Sequence, residues 1–128
     1  MKKQTLINQN APQAIGPYSP SVKMGHYLFI SGQIPFDPEA GTMVEGDIIV
    51  QTRRVLENLK LVLFPYAIGL ENVVKTTIFL KDMHHFAQVN EIYGQYFKTP
   101  HPARSCVEIA RLPKDAAIEI EAIAYCDK

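Results

Sequence analysis

His101 to Cys126 reads HPARSCVEIARLPKDAAIEIEAIAYC, and its alternation decides the fold. From Ala103 to Ile109 the positions Ala103, Ser105, Val107 and Ile109 are small or apolar, with Arg104, Cys106 and Glu108 between them. From Ile118 to Ala124 the parity reverses: Ile118, Ile120, Ala122 and Ala124 form an apolar row, and Glu119 and Glu121 fall on the far side. Successive side chains of a strand point to opposite faces, so both segments read as strands. With Leu112, Pro113, Lys114 and Asp115 as the turn, they predict an antiparallel hairpin. Its two apolar rows must share a face, because a slip of one residue would expose one row. Glu119 and Glu121 then share the other face with Arg104 and Cys106. Cross-strand Arg/Glu pairs on a wet sheet face are ordinary. A cysteine with small Ala and Ser neighbours instead suits a partly buried face, at an interface or a cleft.

Working back towards the start, Asp82 can cap a helix with a stripe of Phe86, Val89, Tyr93, Tyr96 and Phe97, and Pro100 and Pro102 stop it. Val73 to Lys81 is rich in valine, threonine and isoleucine and predicts a strand. Asp47 to Phe64 carries Ile48, Val55, Leu56, Leu59, Val62 and Leu63 at helical spacing, with Asp47 as N-cap and Pro65 as the stop. FDPEAGTMVEGD (36–47) reads as a surface loop. Ser21–Met24 and Tyr27–Gln33 flank Gly25-His26 as a hairpin. APQAIGPYSPSV (11–22) is an irregular loop, and Gln4–Ile7 is a short strand candidate. The sum is one domain over residues 1–128: an α+β sandwich of two layers, one mixed sheet with two helices on one face. Two helices cover only one face of a sheet. The other face, expected to carry Cys106 with Ile78 or Phe79, calls for a second chain, so an oligomer with facing sheets is expected.

The chain has 128 residues, 47% hydrophobic and 20% charged, as in ordinary globular proteins that bury a core without staples. Thirteen basic and thirteen acidic residues cancel, so composition gives no broad attraction to nucleic acid or anionic membranes. The two lysines near the start precede no long apolar run, and none elsewhere would span a membrane, so a cytoplasmic protein is expected. Cys106 and Cys126 fall on opposite rows and are read as free thiols.

No Gly-rich phosphate loop, C-x-x-C pair or H-E-x-x-H motif is present. His84 and His85 are adjacent on a helix and diverge, so both are read as solvated rather than as metal ligands. Ser19, Ser31 and Ser105 lack a histidine arrangement that would mark a nucleophile. Cys106 beside Arg104 reads either as a thiol favoured towards thiolate or as a structural one. What remains is an arginine with carboxylates nearby. The guanidinium fork matches a carboxylate in two parallel hydrogen bonds, and a glutamate near such a site can hold and polarise a water. This combination points to hydrolysis of a small carboxylate-bearing molecule.

AIGPYS (14–19), SGQIP (31–35), ENVVKTTIFLKDM (71–83) and PARSCVEIARLPKDAAIEIEAIA (102–124), in that order, closely resemble the reactive intermediate deaminase (Rid/YjgF) family over nearly the whole chain. The resemblance implies a chorismate-mutase-like fold and a homotrimer with sites in the clefts between subunits. It also implies cofactor-free hydrolysis of 2-imino or enamine acids, released by pyridoxal-phosphate dehydratases, to 2-keto acids and ammonia. By resemblance Arg104 clamps the substrate carboxylate, Glu119 positions the attacking water and Tyr18 closes the pocket. Gly32 and Cys106 match positions whose backbone groups contact the ligand, and Ser31 and Asn90 line the site more peripherally. No metal or other cofactor is implied. Pro20 departs from the flexible or small residues usual after the Tyr-Ser pair, and Leu61 to Ile68 replaces an Ala/Glu-rich helix end by an apolar corner. A non-catalytic binder of 2-keto acids and a translation-inhibiting ribonuclease are alternatives; the neutral charge and lack of a basic, aromatic stripe weigh against RNA.

Overall fold

The segment Val73–Leu80 lies between the two strands that the sequence pattern pairs with each other. In the computed structural model, which describes residues 2–127, the elements run β1 (Ser21–Met24), β2 (Tyr27–Gln33), β3 (Phe36–Asp37), β4 (Thr42–Met43), α1 (Ile48–Leu63), β5 (Val73–Leu80), α2 (Phe86–Tyr96), β6 (Ala103–Glu108) and β7 (Ile118–Tyr125). The outermost positions of the expected domain, Met1 and Lys128, lie outside the described residues. The main sheet has the order β1-β2-β7-β5-β6. β5 pairs parallel with β6 and antiparallel with β7, so the expected Ala103–Ala124 hairpin does not form. The reason is the β5–α2–β6 crossover. A helix between two strands brings them parallel, and β5, apolar and β-branched, takes the interior position between β6 and β7.

The register inverts the expected sharing of faces. Ile78 of β5 is opposite both Cys106 and Ile120, and Thr76 is opposite both Arg104 and Ala122. Directly opposed residues point to one face, so Arg104, Cys106 and Ile78 stand on the side of the apolar row, under the helices. Glu119 and Glu121 are opposite Phe79 and Thr77 and stand on the other side. Each strand's alternation reads correctly; the relation between strands does not. The two cysteines, both free, therefore share a face instead of lying apart on opposite ones.

Asp47 caps α1 by accepting the Val50 N–H at 3.0 Å, and Phe64-Pro65-Tyr66 closes it as a 3-10 turn. The α1 stripe of Val55, Leu56, Leu59, Val62 and Leu63 is buried against Leu28 and Ile30 of β2 and Ile118, Ile120, Ala122 and Ala124 of β7. Truncating one such leucine to alanine costs roughly 2–5 kcal/mol in a packed core. Asp82 caps a short 3-10 turn, Met83–His85, which leads into α2; Val89, Ile92 and Tyr93 are its buried residues. His84 is exposed, as read from the sequence, and pairs with Asp82 at 2.8 Å, whereas the Nδ1 of His85 is buried.

Two smaller departures follow the same lines. Gln4–Ile7 forms only an isolated bridge, Gln4 to Lys23, and the loop 36–47 contains the small β3–β4 hairpin. The sheet face away from the helices carries Phe29, Lys75, Thr77, Phe79, Val107, Glu119, Glu121 and Ile123. Phe29 and Val107 are 48% and 41% exposed, so this face holds an apolar area that no helix among the described residues covers.

Candidate active site

Between Ile30 and Gln33 the register of β2 on β7 shifts, so Ser31 and Gly32 oppose the single residue Glu121. This is a β-bulge, which bends a strand and re-aims what lies beside it. Gly32 is needed there for a close approach. A methyl group on it would sit 2.6 Å from the Glu119 carboxyl carbon and 2.9 Å from Glu119 Cγ. The Glu119 carboxylate thus occupies the space that the missing side chain leaves.

Ser31 ties the proline-rich loop to the bulge. Its N–H donates to the Pro20 carbonyl at 2.9 Å, and its hydroxyl donates to the Ser19 carbonyl at 2.7 Å. The turn before it, Tyr18 N–H to the Gly16 carbonyl, uses Gly16 at φ 126, a conformation open to glycine. Tyr18, Ser31, Gly32, Ile34, Phe36 and Lys114 line a cavity of about 290 Å³. Glu119 is half-buried. Burial raises its pKa, and the neighbouring Glu121 charge adds to the rise.

Arg104, Asn90 and Cys106 form a second group on the edge strand β6. Arg104 Nη1 donates to Asn90 Oδ1 at 2.8 Å, and its guanidinium carbon lies 4.9 Å from the Tyr93 ring centroid and 5.4 Å from that of Phe86. Phe86, Asn90 and Tyr93 are spaced i, i+4, i+7 and so fall on one side of α2. Tyr93 is itself fixed by a 2.7 Å hydrogen bond with the Thr76 hydroxyl. Two aromatic rings and an amide therefore hold the guanidinium while leaving it solvent-exposed. Burial pushes the Cys106 thiol pKa up and Arg104 opposes it only in part, which favours the structural reading of this thiol over a reactive thiolate.

The site residues read from the sequence thus fall into two groups within one chain. Tyr18, Ser31, Gly32 and Glu119 come together around the bulge; Arg104, Asn90 and Cys106 come together at the β6 edge. Arg104 and Glu119 are not brought together. They stand on opposite faces, two strands and three residue steps apart, roughly 10 Å in each direction. The expectation that they share a face fails because β5 intervenes. Sequence reasoning missed Phe86 and Tyr93 as the rests for Arg104, though their spacing with Asn90 was visible, and it gave Lys114 only a turn role. Among the described residues no cluster of three or more His, Cys, Asp or Glu could hold a metal ion.

A mixed sheet with two helices on one face, a glycine bulge against a half-buried glutamate and an arginine presented at a strand edge define an α+β protein of the Rid type. The chain belongs to the family described as Endoribonuclease L-PSP, the Rid/YjgF proteins, whose model matches residues 8–126. It is 54% identical over 123 residues to a RutC family protein of Pyrococcus horikoshii, covering 96% of this chain and 98% of that one. The 2-iminobutanoate/2-iminopropanoate deaminase of Salmonella typhimurium is 50% identical over 125 residues, covering 94% of this chain and 96% of that one. Among solved structures, RidA from a Psychrobacter species superposes with a TM-score of 0.91 at 41% identity, and Escherichia coli TdcF with bound serine with 0.88 at 43%; each match covers 95% of this chain and 98% of the other.

Proposed function

We propose that this protein hydrolyses reactive 2-imino acids and their enamine tautomers to 2-keto acids and ammonia, without a metal or other cofactor, as a homotrimer of chorismate-mutase-like subunits in the cytoplasm. The observation that carries the reading is the Glu119 carboxylate, half-buried beside Gly32 next to the cavity with its pKa raised. A carboxylate so placed can orient a water and accept its proton. The name of the Salmonella relative supports the same chemistry.

The reaction balances simply. Water adds to the imine carbon, the carbon–nitrogen bond breaks after proton transfer, and the nitrogen leaves as ammonia while the carbon becomes a ketone. The imine carbon is already electrophilic, so holding the carboxylate and the water in register supplies much of the rate. Arg104 holds the substrate carboxylate, Glu119 the water, and Tyr18 closes over both; Ser31, Gly32, Asn90 and Cys106 contribute lining and backbone groups. Because Arg104 and Glu119 lie apart within one chain, each complete site joins the β6 edge of one copy to the bulge and Tyr18 loop of another. The uncovered sheet face, with Phe29, Phe79, Val107 and Ile123, supplies the apolar area for that association. The substrates are those released by pyridoxal-phosphate dehydratases acting on serine or threonine.

A dehydratase reaction run with and without the protein, with surviving imine trapped by semicarbazide, tests the activity. Loss of the trapped imine with faster ammonia release supports deamination. Unchanged imine together with tight 2-keto acid binding would make the protein a binder instead. Glu119 and Glu121 beside the bulge, with a pI of about 6.9, disfavour an RNA backbone at this site.

A further inference from the structure

Lys114 lines the same cavity as Tyr18, Ser31 and Gly32, and its backbone is in the left-handed region at φ 53, followed by Asp115 at φ 55. Such conformations are unfavourable for residues other than glycine, asparagine and aspartate, and persist where surrounding contacts hold them. Here the contacts are clear. The Asp115 and Ala116 N–H groups donate to the Leu112 and Pro113 carbonyls, each at 3.1 Å, and Asp115 Oδ1 takes the Lys81 ammonium at 2.9 Å. Asp115 is thereby neutralised by Lys81 and not by Lys114. No hydrogen bond or ion pair engages the Lys114 ammonium among the described residues. Nor does an ion pair join Lys114 to Glu119 among the described residues.

Within one chain, before the β6 edge of another copy completes the site, the cavity has more room than a short acid needs. Its volume of about 290 Å³ approaches the range of roughly 300–1,000 Å³ typical of sites for much larger ligands than a three- or four-carbon acid. Ile34, Phe36 and Pro113 give it apolar walls, against which methylene groups can pack, and Lys114, a cationic residue, is part of its lining.

We propose that Lys114 is a specificity-determining residue that pairs with a second carboxylate at the far end of the substrate, so that this site accepts 2-imino dicarboxylic acids as well as short monocarboxylic ones. The proposal rests on the functional reading above, in which Arg104 holds the first carboxylate. Methylene groups between the two carboxylates lie along the apolar wall, and the distal carboxylate meets the Lys114 ammonium.

Calorimetric binding of 2-oxoglutarate and 2-oxobutanoate to the wild-type oligomer, Lys114→Gly, Lys114→Arg and Arg104→Lys tests it. Glycine suits the left-handed position, so Lys114→Gly removes the charge without straining the turn. The expected result is a loss of about tenfold in 2-oxoglutarate affinity with less than twofold for 2-oxobutanoate, as for a charge-assisted hydrogen bond. Lys114→Arg restores the dicarboxylate. Equal losses for both acids, or no loss for either, overturn the proposal. Arg104→Lys reports on the underlying reading separately: if it weakens neither acid, the carboxylate clamp is wrong whatever Lys114 does.

Discussion

Arg104 and Glu119 leave the sheet on opposite faces: Arg104 is opposite Thr76 on the helix side, and Glu119 is opposite Phe79 on the uncovered side. The residues proposed as carboxylate clamp and as water holder therefore cannot meet within one chain. Each has its own support, Phe86, Asn90 and Tyr93 for the arginine and the Gly32 bulge for the glutamate.

The bulge gives the first prediction. In Gly32→Ala the new methyl group meets the Glu119 carboxyl group and must displace it. Misplacing a catalytic group by about 1 Å can cost roughly a hundredfold in rate. Turnover in the semicarbazide assay should fall by at least tenfold while thermal stability changes little; unaltered turnover would mean that the position of Glu119 is immaterial.

Arg104→Lys keeps the charge but loses the planar fork and the ring contacts. Affinity for 2-oxobutanoate and kcat/KM for the imine should both fall by about tenfold or more. Asn90→Ala, which leaves the guanidinium in place without its amide partner, should fall less in both. Wild-type binding by Arg104→Lys would reassign the edge strand to a structural role.

For Glu119 the pKa is raised above its ordinary value of 4.5, by burial first and by Glu121 second. The folded chain thus holds this proton more tightly than the unfolded chain does. Its stabilising contribution is present below the ordinary value and lost as pH rises through the raised one. Glu119→Gln should therefore unfold at a higher temperature than wild type at neutral pH, with the difference shrinking towards pH 4. In the proposed role Glu119 must be ionised for turnover, so wild-type activity should fail on the acid side at a pH above 4.5, and Glu119→Gln should be nearly inactive throughout. A less stable variant with normal turnover would contradict both parts.

Tyr93 carries structure and site together. Tyr93→Phe keeps the ring under Arg104 but leaves the buried Thr76 hydroxyl without its 2.7 Å partner. The expected cost is about 1–3 kcal/mol of folding stability by denaturant titration, with keto-acid affinity within twofold of wild type. A large affinity loss would show that the phenol, and not only the ring, supports the clamp.

Much of this is legible in the sequence. Asp47 and Pro65 mark α1, the Val73–Leu80 composition marks β5, and Pro100 with Pro102 marks the end of α2, because caps, β-branched runs and prolines act locally. Strand partners are not local. The alternation in Ala103–Glu108 and Ile118–Tyr125 holds in both strands, yet nothing within that stretch says that β5 lies between them, and its intervention moves Arg104 to the opposite face from Glu119. The site divides in the same way. Arg104 and Glu119 could be picked out by residue chemistry and motif, whereas the Ser31-Gly32 bulge and the rests under Arg104 depend on register and on helix placement.

The central claim, that one site draws Arg104 and Glu119 from different copies, is tested most directly by mixing two impaired variants. Arg104→Lys and Glu119→Gln chains are co-refolded in equal amounts and assayed for imine hydrolysis against each parent oligomer. If neighbouring copies contribute the two groups, some mixed sites pair an intact arginine with an intact glutamate, and activity should return to about a quarter of wild type. Activity no greater than the mean of the two parents, in mixtures shown to contain both chains in one oligomer, would contradict the account.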